Sequence, residues 1–183
     1  MQELGAPPIL LCSNVQPDAS GETELVAAQL YQLAERTAKR GLRVGFEALA
    51  WGGKIRLFGQ AWAAVELANR PHLGLILDSF HTLALRDDPA PIAKLPGDKI
   101  FFVQLADAPW VNTDVLSHSR HYRCFPGEGE FDMAGFAAAA LDAVYTARTG
   151  KLLRRSCREV RHRCRYARRV ARTQHPVQPH GRR

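Results

Sequence analysis

The chain has 183 residues, 46% of them hydrophobic, which suits one globular domain with a sizeable core and is short for two. Its formal net charge of +7 is unevenly placed: residues 151–183 carry 12 Lys or Arg and the single acid Glu159, whereas residues 1–150 carry 13 bases and 17 acids. The part expected to fold is therefore net −4, and the basic end alone is a weak reason to expect nucleic acid as a partner.

Residues 8–12, PILLC, read as a short buried strand that runs into the loop Ser13-Asn14. Asp18-Ala-Ser-Gly-Glu22 supplies capping residues for a helix over 23–39, with Leu25, Leu30, Leu33 and Ala34 at helical spacing and Gly41 as its stop. A second strand follows at Leu42–Glu47, then a helix near 58–70 with Trp62, Val65 and Leu67 on its apolar side. LGLILD at 73–78 is a third strand, KIFFVQ at 99–104 a fourth, and FDMAGFAAAALDAVYT at 132–147 a last helix. Strands alternating with helices predict a parallel α/β fold, and no GxGxxG loop supports a doubly wound dinucleotide-binding sheet. We read four βα units of a partial (β/α)8 barrel over residues 1–150. The Arg-rich tail at 151–183, irregular or helical, is expected to lie outside the barrel.

No run of 18 apolar residues occurs, and the N-terminus has no basic region ahead of an apolar one, so neither a membrane span nor a signal peptide is expected. Cys12, Cys124, Cys157 and Cys164 form no CxxC pair and no zinc-site spacing, which fits a reducing cytoplasm.

Three polar residues end successive apolar strands: Glu47 in VGFEALAWG, Asp78 in LGLILDSFH and Gln104 in IFFVQLADAP, at spacings of 31 and 26 residues. In a (β/α)8 barrel these strand ends converge on the active-site mouth. Two carboxylates and a carboxamide there offer hard oxygen ligands for a divalent cation such as Mg²⁺, Mn²⁺ or Co²⁺. A plainer reading is that acids at strand ends cap the next helix. Gln104 is the residue that reading explains least.

The strings LCSNV, GFEALAWG, LDSFH, FFVQLADAP and SRHYRCFPGEG, in that order, resemble those of bacterial 3-dehydroshikimate dehydratases of the sugar phosphate isomerase/epimerase superfamily. The resemblance spans about residues 8–148 and implies a metal held by Glu, Asp, Gln and Glu from four strands, the first three mapping onto Glu47, Asp78 and Gln104. It further implies that His81 is catalytic and that Arg123 binds substrate. The implied reaction is dehydration of 3-dehydroshikimate, a small-molecule substrate, to protocatechuate. In it His81 is the expected base and Arg123 the expected bidentate clamp on the carboxylate. Glu128 in PGEGEF is expected to belong to a turn, His118 and His121 to loop polarity, and Trp51 and Trp110 to the pocket wall.

The resemblance stops between Ala147 and Lys151, where a strand carrying the fourth ligand is expected, and about three earlier βα units have no counterpart. An Arg-rich, patternless segment starting there reads as out-of-frame translation of GC-rich DNA, and the chain as it stands is expected to be impaired. Four strands also leave two open edges, which a second copy could cover. The competing readings are a sugar or hydroxypyruvate isomerase of the same superfamily and a non-catalytic or basic-tailed product.

Overall fold

The computed structural model of the protein describes residues 8–147. The Arg-rich segment, its two cysteines and the position of the expected fourth ligand lie outside the described residues. Four strands form one sheet in the order β1 (Pro8–Cys12), β2 (Arg43–Glu47), β3 (Leu73–Asp78) and β4 (Ile100–Gln104). Every neighbouring pair is parallel, with Cys12 level with Glu47 and Asp78 level with Gln104. The expected partial barrel is what is observed.

The long helices are α1 (Thr23–Ala38), α2 (Phe58–Ala68) and α5 (Met133–Ala147). Two short ones lie between: α3 (Ser79–Leu83), directly after β3, and α4 (Val115–His121). These two were not expected, because five- and seven-residue helices show too few turns for a periodicity to emerge. Helix α1 buries Ala27, Leu30, Ala34 and Thr37, and Gly41 at φ +65° turns the chain into β2. Leu25 and Leu67, expected on apolar faces, are instead exposed; Ala27 and Ala64 take the inward positions. No described helix is long and apolar enough to cross a membrane.

Period-two alternation splits each strand between two faces. Val44, Phe46, Leu73, Leu75 and Leu77 point outward into the helix-covered core, with Phe58, Ala61, Ala64 and Val65 of α2 packed in the same cluster. The alternate residues Gly45, Glu47, Ile76, Asp78, Phe102 and Gln104 therefore line the inner face. Gly45 is required there, since a Cβ would sit 2.5 Å from Ile76 Cγ1. Leu10 and Phe102 on that face are 51% and 54% exposed, so the four strands leave the inner layer partly uncovered.

Candidate active site

The C-terminal ends of β2, β3 and β4 bring Glu47, Asp78 and Gln104 together, and α3 adds His81. One ligand-type atom each from Glu47, Asp78 and His81 lies within 4.8 Å of the other two. Gln104 Nε2 donates to Glu47 Oε1 at 3.0 Å, which leaves the carboxamide oxygen of Gln104 free to serve as a ligand. Cys12 Sγ donates to the other Glu47 oxygen at 3.5 Å. Asp78 unites the two readings of a strand-end acid. Its Oδ1 caps α3 by accepting from Phe80 N–H at 2.7 Å, and its Oδ2 faces the cluster.

Arg123 reaches this cluster from the segment after α4. Its Nη1 donates to Asp78 Oδ2 at 2.8 Å, its Nε to Ser119 Oγ at 3.0 Å, and its guanidinium carbon lies 4.4 Å from the centre of the Phe80 ring. With Nε and Nη1 engaged, Nη2 remains turned toward His81. The bidentate fork expected of Arg123 is therefore half committed to Asp78.

His81 is held in one tautomer. Ala50 N–H donates to His81 Nδ1 at 3.1 Å, so that nitrogen keeps its lone pair and a neutral ring carries its proton on Nε2. Burial, opposed by Asp78 and aided by Arg123, lowers the His81 pKa to about 4, so the neutral ring dominates near pH 7. Two things follow. In that tautomer Nε2 offers no lone pair to a metal, whereas the carboxamide oxygen of Gln104 does, beside Glu47 and Asp78. In the same tautomer Nε2 is a donor, and Nδ1, turned to Ala50 N–H, is the nitrogen with a lone pair. Arg123 Nη2 lies 3.3 Å from His81 Nε2. With the proton on Nε2, both atoms of that contact are donors.

Glu47 is 3% exposed, and its pKa is pushed up to about 7, by burial first and by the Asp78 charge second. Two buried carboxylates with one half-engaged guanidinium between them form a donor set short of positive charge. A hard divalent cation fits it: two carboxylates and a carboxamide oxygen are the ligand types such ions take.

Of the residues read as loop or wall, His118 and Trp110 behave otherwise, while Glu128 and Trp51 do as expected. His118 lies in α4, buried, with Nε2 2.9 Å from Pro109 O, and is a packing residue rather than loop polarity. Glu128 accepts from Phe125 N–H at 3.1 Å and closes a turn, as expected. Trp51 stands edge-on to His81, ring centres 4.9 Å apart, and walls the cluster; Trp110 packs on Phe131 and under Arg86 instead. Arg56 donates Nε to Ala50 O at 2.8 Å and so braces the loop that orients His81. Asp107 escaped the sequence reading altogether. It is 1% exposed, and no strand-end pattern singles it out.

Parallel βα units with polar residues gathered at their C-terminal strand ends are the arrangement of the (β/α)8 barrel class. The sequence pattern of the xylose isomerase-like TIM barrel family matches residues 1–148, and the chain belongs to that family. It is 60% identical over 145 residues to the 3-dehydroshikimate dehydratase of Pseudomonas aeruginosa, a match covering 79% of this chain and 23% of that protein. A solved xylose isomerase-like TIM barrel/4-hydroxyphenylpyruvate dioxygenase fusion protein superposes with TM-score 0.76 at 57% identity, over 78% of this chain and 23% of that one. The IolI protein, solved with a zinc atom, shares the fold with TM-score 0.67 at 23% identity, over 76% of this chain and 51% of its own. The chain thus spans under a quarter of the length of the dehydratase and fusion proteins.

Proposed function

We propose that residues 8–147 carry the metal site and part of the substrate pocket of a 3-dehydroshikimate dehydratase, a lyase that forms protocatechuate. The observation that carries this reading is the convergence of Glu47, Asp78, Gln104, His81 and Arg123 at one strand mouth. The 60% identity to a dehydratase of that name supports it. Glu47, Asp78 and Gln104 would hold a divalent cation such as Mg²⁺, Mn²⁺ or Co²⁺, which would supply Lewis acidity toward the substrate ketone.

The remaining chemistry falls to the side chains. The proton next to the ketone leaves to a carboxylate rather than to His81; Asp78 spends Oδ1 on the α3 cap and Oδ2 on Arg123, so Glu47 is the candidate. The Nε2–H of His81 donates to an oxygen that gains negative charge as that proton leaves. The β-hydroxyl takes up a proton and departs as water, and loss of a further ring proton with enolisation completes the aromatic diol. Arg123 holds the substrate carboxylate through Nη2, while Nη1 stays on Asp78 and fixes the guanidinium. Trp51 keeps bulk water from the His81 side. We place the reaction in a reducing cytoplasm, with the uncovered inner face at Leu10 and Phe102 met by further barrel strands or a second copy.

The rival reading is an isomerase or epimerase acting on a neutral sugar. Arg123 favours the dehydratase, because a neutral sugar has no carboxylate for it. The test places residues 8–147 in a complete barrel whose other strands come from the P. aeruginosa relative, and follows the aromatic product. Protocatechuate should form. Arg123→Ala should lower kcat/KM about a hundredfold or more, whereas Lys54→Ala, at an exposed position, should change it by less than about threefold. A protein that epimerises sugars and leaves 3-dehydroshikimate untouched would transfer the site to the rival.

A further inference from the structure

Asp107 lies three residues beyond Gln104, and among the described residues its carboxylate forms no ion pair. It meets backbone instead. Oδ1 accepts from Ala108 N–H at 2.8 Å and Phe131 N–H at 3.0 Å; Oδ2 accepts from Gly127 N–H at 2.9 Å and Gly129 N–H at 3.1 Å. Four donors on one buried acceptor-only group gather the 124–131 loop around a single point. The backbone of Asp107 pairs in both directions with Cys124, at 3.1 Å and 2.9 Å, and Glu130 N–H reaches Ala108 O at 3.0 Å. The PGEGEF string fits this arrangement. Gly127 adopts φ +93°, and a Cβ on Gly129 would lie 2.6 Å from the Ala108 backbone.

Arg123 directly precedes the residue that Asp107 grips. Phe131, at the other end of the loop, packs against Phe80 with ring centres 5.8 Å apart, and the Arg123 guanidinium lies over that same Phe80 ring. Two routes therefore run from Asp107 to Arg123, one along the backbone through Cys124 and one through Phe131 and Phe80. We infer that Asp107 is the positioning residue for Arg123: by closing the 124–131 loop onto one carboxylate it fixes the guanidinium at the mouth of the cluster, where a carboxylate-bearing ligand would meet it. The inference rests on the carboxylate-binding role proposed for Arg123 and adds what holds that residue in place.

Asp107→Asn keeps the size of the side chain but turns one acceptor into a donor facing backbone N–H groups. In the ¹⁵N-labelled 183-residue chain, the Arg123 Nε–H signal, assigned by its loss in Arg123→Lys, should lose its dispersion in Asp107→Asn. The amides of Leu73–Asp78 should stay in place. An unchanged Arg123 signal alongside displaced Gly127 and Gly129 amides would overturn the inference. If the variant also disturbs the sheet, the unmodified chain decides. The amides of Gly127, Gly129 and Phe131 should then exchange as slowly as those of β3, and fast exchange there would overturn the inference.

Protocatechuate, titrated in the presence of Mg²⁺, supplies the functional arm. Asp107→Asn should weaken binding about tenfold in the otherwise unaltered chain and less than about twofold in the Arg123→Ala background. Equal losses in both backgrounds would make Asp107 a structural residue only and overturn the inference. If Arg123→Ala itself leaves affinity unchanged, the carboxylate role of Arg123 fails, and the Nε–H signal still decides whether Asp107 positions that side chain.

Discussion

Replacing Glu47 with Gln should make the metal-free chain more stable above neutral pH while weakening divalent-metal binding about a hundredfold or more. The stability change follows from the pKa of about 7 imposed by burial and by Asp78, against an ordinary 4.5. A carboxyl group that holds its proton more tightly folded than unfolded favours the fold most below its unfolded pKa. That advantage is lost as pH rises from about 4.5 to about 7. His81 acts in the opposite sense. Its folded pKa of about 4 lies below the ordinary 6.5, so its contribution grows as pH rises across that range. The two slopes oppose each other below pH 6.5, and above it only the Glu47 penalty remains. Unfolding by urea near pH 8 should therefore show Glu47→Gln gaining stability, and near pH 5 little gain. The metal effect has a separate cause, since a carboxamide in place of the carboxylate removes a charge from a set of three ligands. Mn²⁺ binding within about threefold of the unmodified chain would remove Glu47 from the ligand set.

The second large effect is on the fold. Phe136→Ala should cost about 3–5 kcal/mol of unfolding free energy. Helix α5 reads MAGFAAAALDAVYTA, and Phe136 is the one large side chain among its fully buried described residues. Ala139, Ala140 and Ala143 bury too little surface each to replace it. Because α5 packs over the 3₁₀ turns at Ala90–Lys94 and Gly97–Lys99 that lead into β4, undocking it would loosen the strand that carries Gln104. A loss of this size is a large share of the roughly 5–15 kcal/mol that holds a domain folded. Phe136→Leu, which keeps most of the buried volume, should recover at least half of it. A loss under about 1 kcal/mol in Phe136→Ala would mean that α5 is not docked as described.

What the sequence made legible and what it hid divide along one line. Strands β1 to β4 declared themselves as short apolar runs, and the polar ends of β2, β3 and β4 singled out Glu47, Asp78 and Gln104, with the family resemblance assigning them as ligands. The tautomer of His81 was not, because it depends on the N–H of Ala50, 31 residues earlier and on another βα unit. Asp107 was hidden for the same reason. Three of its four donors are backbone groups 20 to 24 residues downstream, and backbone groups leave no trace in residue identity except the two glycines that let them approach. Arg123 was singled out through the SRHYRC string, but its bond to Asp78 exists only once β3 and the segment after α4 are folded together.

Paramagnetic broadening by Mn²⁺ in the ¹⁵N-labelled 183-residue chain tests the central claim most directly, because it reads where the ion sits and does not depend on turnover. At substoichiometric Mn²⁺ the amides at the ends of β2, β3 and β4, around Glu47, Asp78 and Gln104, should vanish first and together, with that of Ala50 close behind. Broadening centred instead on Asp87 and Asp88, or on Glu128 and Glu130, with the three strand ends left sharp, would contradict it.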